Sequence, residues 1–118
     1  MKLSEHFTSE EFACKCGCGF DSISPELIDI LEELRQVYQQ PITINSGCRC
    51  PSWNEKVGGE KHSQHMEGTA ADIVVHGVSP FKTYQYLDGK YKGKYGIGLY
   101  ATWCHIDVRK GNAARWNR

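Results

Sequence analysis

At 118 residues the chain has the length of one ordinary domain, which excludes a large multidomain enzyme and a pair of independent cores. Its 40% hydrophobic and 24% charged residues match a folded globular protein and exclude a disordered one. Lys plus Arg and Asp plus Glu are each 14, so the net charge of zero lacks the footprint of a nucleic-acid binder, and no apolar run approaches the ~20 residues of a membrane span.

At the start, Met1 to Phe7 lacks the apolar run of a secretory signal. Thr8 and Glu11 form the T-x-x-E pattern of a capping box, and Phe7 and Phe12 fit a hydrophobic staple across it. A short helix is therefore predicted near residues 8–13. Gly17 and Gly19, interleaved with cysteines, predict an irregular loop. Ser24-Pro25-Glu26 supplies a cap, a proline for the first turn and an acid at the positive end of the helix dipole. Leu27, Leu31, Leu34 and Tyr38 recur at helical spacing, with Ile28, Ile30 and Val37 widening the stripe, so a helix is predicted over 25–39 and Pro41 ends it.

Ile42-Thr43-Ile44 alternates as a strand does and runs into the Ser46-Gly47 turn. Ala70 to Val75 is a second, β-branched strand containing one acid, Asp72. A capped helix begins at Ser79-Pro80, carries Phe81, Tyr84 and Leu87, and is expected to stop at Gly89. Gly96 to Tyr100 and Trp103 to Arg109 predict an antiparallel hairpin around Ala101-Thr102. Without a repeat or linker, residues 1–118 read as a single α+β domain: a small, mostly antiparallel sheet flanked by helices.

Five of the six cysteines fall in two groups, Cys14, Cys16 and Cys18, then Cys48 and Cys50, with Cys104 alone. C-x-C-x-C lacks the C-x2-C spacing of a zinc ribbon, and three readings stay open: free thiols, disulfides, or a structural metal.

Chemistry concentrates in residues 62–72, His-Ser-Gln-His-Met-Glu-Gly-Thr-Ala-Ala-Asp. A carboxylate in an apolar strand is costly unless it is paired or binds a metal, and Asp72 lies among Ala71, Ile73 and Val74. Gly68 can make the turn that folds His65 back over this strand. By period two, Trp103, His105, Asp107 and Arg109 share one face of the last predicted strand, with Cys104, Ile106 and Val108 on the other. Two imidazoles and a carboxylate, His65, His105 and Asp72, form a candidate zinc triad with its fourth position open.

The pattern Ser63-x-His65-x-x-Gly68-x-Ala70-x-Asp72, followed by His105-Ile106-Asp107-Val108, resembles the M15 family of zinc D-Ala-D-Ala peptidases, in particular its compact subgroup of phages and bacteria. Phe7-Thr8-x-x-Glu11-Phe12, Ser46-Gly47-x-Arg49-Cys50-Pro51-x-x-Asn54 and Gly58-Gly59 extend the resemblance over residues 6–116. It implies the fold shared with the hedgehog signalling domain, Zn2+ held by His65, Asp72 and His105, and Arg49 beside the scissile carbonyl or substrate carboxylate. Ser63 resembles the family serine near the substrate terminus; its other reading is a turn residue, as Arg49's is a surface ion pair. Many members carry an acid or histidine two or three residues before the last ligand as general base. Trp103 and Thr102 stand there in this chain, which leaves the base unassigned.

Asp107 is weighed as that base, as an orienter of a ligand histidine, and as the partner of Arg109 or Arg115, with His62 in reserve. Trp53, Trp103 and Trp116 are read as core or rim packing, with a substrate platform as the other reading. The expected function is a zinc-dependent peptidase acting on bacterial peptidoglycan, either as a D-Ala-D-Ala carboxypeptidase or as an endopeptidase of the stem or cross-link. The alternatives are a non-catalytic zinc or peptidoglycan-binding module and a thiol-based redox or metal-handling protein. The expected partner is the peptidoglycan stem peptide, bound by a monomer with neither nucleic acid nor membrane as partner. The expected location is cytoplasmic as synthesised, with release to the periplasm or cell wall if the protein is a phage lysin.

Overall fold

The computed structural model describes residues 1–118, and each element follows from a local feature of the chain. The capping box folds Ser9–Phe12 into a 3-10 helix: the Glu11 carboxylate accepts from the Thr8 N–H at 2.7 Å, and the Phe7 and Phe12 rings lie 6.1 Å apart. Helix α1 spans Pro25–Tyr38 and buries Leu27, Ile28, Ile30, Leu31 and Leu34. Burial of each such leucine stabilises the fold by about 1.5–3 kcal/mol. It ends at Gln39 in the left-handed conformation. Two details differ from the sequence reading. The Ser24 side chain makes no capping bond, its N–H donating instead to the Gly68 carbonyl at 2.8 Å, and Val37 is 48% exposed, just outside the apolar stripe.

Strand β1 (Ile42–Ser46) is followed by the short helix α2 (Pro51–Lys56), a 3-10 helix at Gln64–Glu67 and strand β2 (Ala70–Val75). Helix α3 (Pro80–Lys90) is capped by the Ser79 hydroxyl, which accepts from the Lys82 N–H. It runs through Gly89, because a single glycine costs a helix only about 1 kcal/mol and Leu87 anchors the last turn in the core. Strands β3 (Gly96–Leu99) and β4 (Cys104–Asp107) form the expected hairpin, and β5 (Ala114–Asn117) adds an edge that the sequence did not announce.

The sheet order is β1-β2-β4-β3-β5, antiparallel except for the parallel β3–β5 pair, so the sheet is mixed. Ala71, Ile73, Val75, Ile97, Cys104, Ile106 and Val108 face a core shared with α1 and Leu87 of α3. Period two sends the intervening residues to the opposite face. There the register aligns one row across all five strands: Ser46 opposite Asp72, Asp72 opposite His105, His105 opposite Gly98, and Gly98 opposite Trp116. No helix is long and apolar enough to cross a membrane.

Candidate metal centre

That row is the floor of a cleft of about 580 Å³. Asp72 and His105 come from paired strands, whereas His65 comes from the 3-10 helix that precedes β2. Ser63 starts this turn by accepting from the His65 N–H at 3.1 Å, and Gly68 ends it at φ 72°. A Cβ at Gly68 would lie 2.0 Å from the Ser22 carbonyl oxygen, so the turn excludes any larger residue on two grounds.

His65, Asp72 and His105 are buried, and one ligand atom from each lies within 4.8 Å of the others. His65 Nδ1 is 2.7 Å from the Gly47 carbonyl oxygen, which only accepts, so the proton is on Nδ1 and Nε2 carries a lone pair. That Nε2 is 3.3 Å from Asp72 Oδ1. On the other side, His105 Nε2 is 2.8 Å from Asp107 Oδ2 and donates to it, while Nδ1 is 2.9 Å from the same Asp72 Oδ1. Two imidazole nitrogens and a carboxylate oxygen thus converge with their other partners already taken. Three acceptors facing one another repel unless a cation lies between them, and this donor set fits a metal ion.

Burial alone would raise the Asp72 carboxyl; protons on the two imidazole nitrogens that face it, in the place a metal ion would take, hold it well below the usual carboxylate range. Burial disfavours a charged His105, yet Asp107 and Asp72 on either side more than reverse this and raise its pKa. The remaining Asp72 oxygen, Oδ2, accepts from Arg49 Nη2 at 3.3 Å. Arg49 also donates from Nε to Ser46 Oγ and from Nη1 to Asn54 Oδ1, so its fork is fixed along the cleft wall.

Arg49, His62, Ser63, His65, Asp72 and His105 therefore share one cleft, His62 on its exposed rim. Asp107 does not line it. The carboxylate is 0% exposed behind His105, and its oxygens accept from His105 Nε2 and from Arg109 Nε and Nη2. Its contacts are those of an orienting group and of an arginine partner, and the partner is Arg109, since Arg115 pairs with Asp88. As a base Asp107 would have to act from behind His105, since neither oxygen faces the cleft. Burial opposes its charge, but Arg109 and His105 hold the carboxyl well below the usual range.

One cleft wall bears on the choice between packing and substrate platform for the tryptophans. Tyr100 and Trp103 stack with centroids 4.5 Å apart and planes 10° from parallel, and Trp116 donates from Nε1 to Tyr100 Oη at 2.9 Å. Trp116 also lies 5.0 Å from the His105 ring and crosses β3 at Gly98, where a Cβ would meet its indole at 2.3 Å. Trp53 does not line the cleft. Parity along 103–109 could have placed Arg109 at the site. Trp116 had only a weak signal, because Ala114-Arg115-Trp116-Asn117 alternates over just four residues and carries no β-branched residue.

No curated protein matches the chain. The family model described as Peptidase M15 matches residues 5–107, a span that takes in Arg49, Ser63, all three converging ligands and Asp107. Covering nearly the whole chain and every element from the capping box to β4, that match makes the protein a member of the M15 peptidase family.

Proposed function

We propose that the protein is a zinc-dependent peptidase that hydrolyses the peptide of bacterial peptidoglycan, either as a D-Ala-D-Ala carboxypeptidase or within the stem or cross-link. The carrying observation is the convergence of His65 Nε2, Asp72 Oδ1 and His105 Nδ1, each with its second polar atom engaged elsewhere. Two nitrogens and one oxygen suit zinc, which takes such a set in catalytic sites with the fourth position open. When bound, zinc supplies Lewis-acid polarisation of a carbonyl and acidifies a water to a pKa of about 7.

The chain's own residues do the rest. Arg49 keeps its guanidinium beside Asp72 at the cleft wall, where its planar fork can donate to a substrate carbonyl or to both oxygens of a terminal carboxylate. Asp107 holds His105 as the Nε2–H tautomer, keeping Nδ1 for the metal. The Ser63 hydroxyl accepts from the His65 amide and still has its proton to donate to a substrate terminus. The Tyr100–Trp103–Trp116 wall offers apolar area to a stem peptide, and the open cleft admits an extended chain. His62, on the exposed rim, is the side chain best placed to exchange a proton with solvent.

A non-catalytic peptidoglycan-binding module is the second reading. It is favoured by Trp103, which stacks on Tyr100 where many relatives carry an acid or histidine. Muropeptides ending in D-Ala-D-Ala, followed by mass spectrometry, separate the two readings. The peptidase releases D-alanine or splits the stem, loses this activity to a chelator and regains it with zinc. Saturable muropeptide binding without any cleavage by the zinc-loaded protein would replace the first reading with the second.

A further inference from the structure

Away from the cleft, four sulfurs gather at the surface. The Sγ atoms of Cys14, Cys16, Cys18 and Cys50 all lie within 4.8 Å of one another, with Cys14–Cys16 and Cys16–Cys50 at 3.5 Å. We propose that these four cysteines form a second, structural zinc site that clamps the 14–20 loop onto the segment carrying Arg49.

The spacing is that of a single ion. Four thiolates around zinc at ~2.3 Å put tetrahedral edges at about 3.8 Å, close to the two shortest separations here. An iron–sulfur cluster spreads its ligands around several metal atoms and needs a wider cage. Geometry also selects four of the six cysteines. Cys48 is buried and turns its thiol toward the Ser22 carbonyl, and Cys104 is packed in the core.

The loop itself calls for a clamp. Residues 14–20 contain neither helix nor strand, and Lys15 through Gly19 are all exposed. Gly17 at φ 82° and Gly19 at φ 93° turn the chain so that alternate side chains point to one centre. The Cys14 N–H closes the loop on the Phe20 carbonyl at 2.8 Å. With the apolar contacts of a core missing, an exposed loop of this length has little else to hold it in one shape. Two backbone amides already donate to the sulfurs: Cys50 N–H to Cys14 Sγ and Trp53 N–H to Cys50 Sγ, both at 3.4 Å. Such donors favour the thiolate form that zinc requires.

Cys50 also links this cluster to the cleft. Its neighbour Arg49 donates its backbone N–H to the His65 carbonyl at 3.0 Å, and Cys48 N–H bonds to the Phe12 carbonyl at 2.8 Å. An ion at the cysteines therefore fixes the connection between β1 and α2 from which the arginine reaches Asp72.

Elemental analysis of protein purified under reducing conditions tests the proposal. The wild type is expected to hold one zinc more than the Cys16→Ser, Cys18→Ser double variant, and the His65→Ala, His105→Ala double variant is expected to keep a zinc. Cobalt substitution of the wild type gives an answer that needs no variant: a thiolate-to-cobalt charge-transfer band in the near ultraviolet, retained when the histidines are replaced. Absence of that band, iron in place of zinc, or a disulfide among these cysteines in the metal-loaded protein would overturn the proposal. None of these outcomes bears on the histidine site, so the peptidase reading stands or falls separately.

Discussion

The molecule gathers metal-ligating side chains in two places, and they are built in opposite ways. Asp72 and His105 are buried on paired strands and His65 on the turn that packs over them, each held by a further hydrogen bond. The cysteines sit on an irregular loop, with Cys16 and Cys18 exposed, and meet a fourth partner at the start of a short helix. Preorganisation by a sheet leaves the ligands in place whether or not an ion is bound, which suits a site that must keep an open position for substrate. A loop site takes its shape from the ion. On the readings proposed above, one cluster would serve chemistry and the other architecture.

Removing the metal in two ways breaks the comparison most sharply. His65→Ala with His105→Ala is expected to bring muropeptide turnover to background while leaving the circular dichroism of the fold intact. Chelation of the cysteine zinc is expected to accelerate hydrogen exchange selectively in residues 14–20. Equal acceleration throughout the sheet would erase the distinction between the sites.

Asp107→Asn probes how much the sheet site owes to its support. Losing the orienting carboxylate is expected to weaken zinc binding by roughly 10–100-fold, with activity recovering in excess zinc. Turnover that stays low at saturating zinc would instead assign Asp107 a part in the chemistry. Arg49→Lys keeps the charge and loses the fork, so turnover is expected to fall by more than about tenfold with zinc content unchanged. Unaltered kinetics would reduce Arg49 to a partner of Asp72.

The smallest effect concerns a carboxylate remote from both clusters. Burial opposes the charge of Glu33, but hydrogen bonds from Tyr86 Oη and Tyr91 Oη, each 2.6 Å long, outweigh it and lower its pKa. A lowered folded pKa gives stability that is present above the unfolded value, ~4.3, and is lost as the pH falls through the folded value. Glu33→Gln is therefore expected to cost about 1–2 kcal/mol at neutral pH, with the gap to wild type closing below about pH 4. A constant gap down to pH 3, measured by urea unfolding, would refute this linkage.

Much of the candidate site was legible in the sequence because its signals are local. An acid in an apolar strand marked Asp72, parity along 103–109 put His105 and Asp107 on one face, and Gly68 marked the turn that returns His65. Helix α1 was equally clear from its leucine stripe, although Ser24 bonds to Gly68 rather than capping it. What stayed hidden depends on contacts between distant segments. β5 alternates over only four residues with no β-branched one, too short a pattern to mark a strand, and Trp116 joins the cleft through the parallel pairing with β3. Cys50 reaches Cys14, Cys16 and Cys18 across the fold, and no spacing rule for C-x-C-x-C shows that fourth partner. The engagement of Asp107 by Arg109 required side-chain geometry that periodicity leaves undetermined.

Anomalous diffraction from crystals of the zinc-loaded protein, measured on both sides of the zinc absorption edge, examines the histidine site without relying on any substrate. The expected result is a zinc peak bonded to His65 Nε2, Asp72 Oδ1 and His105 Nδ1, with Asp107 still on His105 Nε2. A zinc peak at the cysteines alone, with His105 Nδ1 protonated and hydrogen-bonded to Asp72, would contradict the assignment of the catalytic metal.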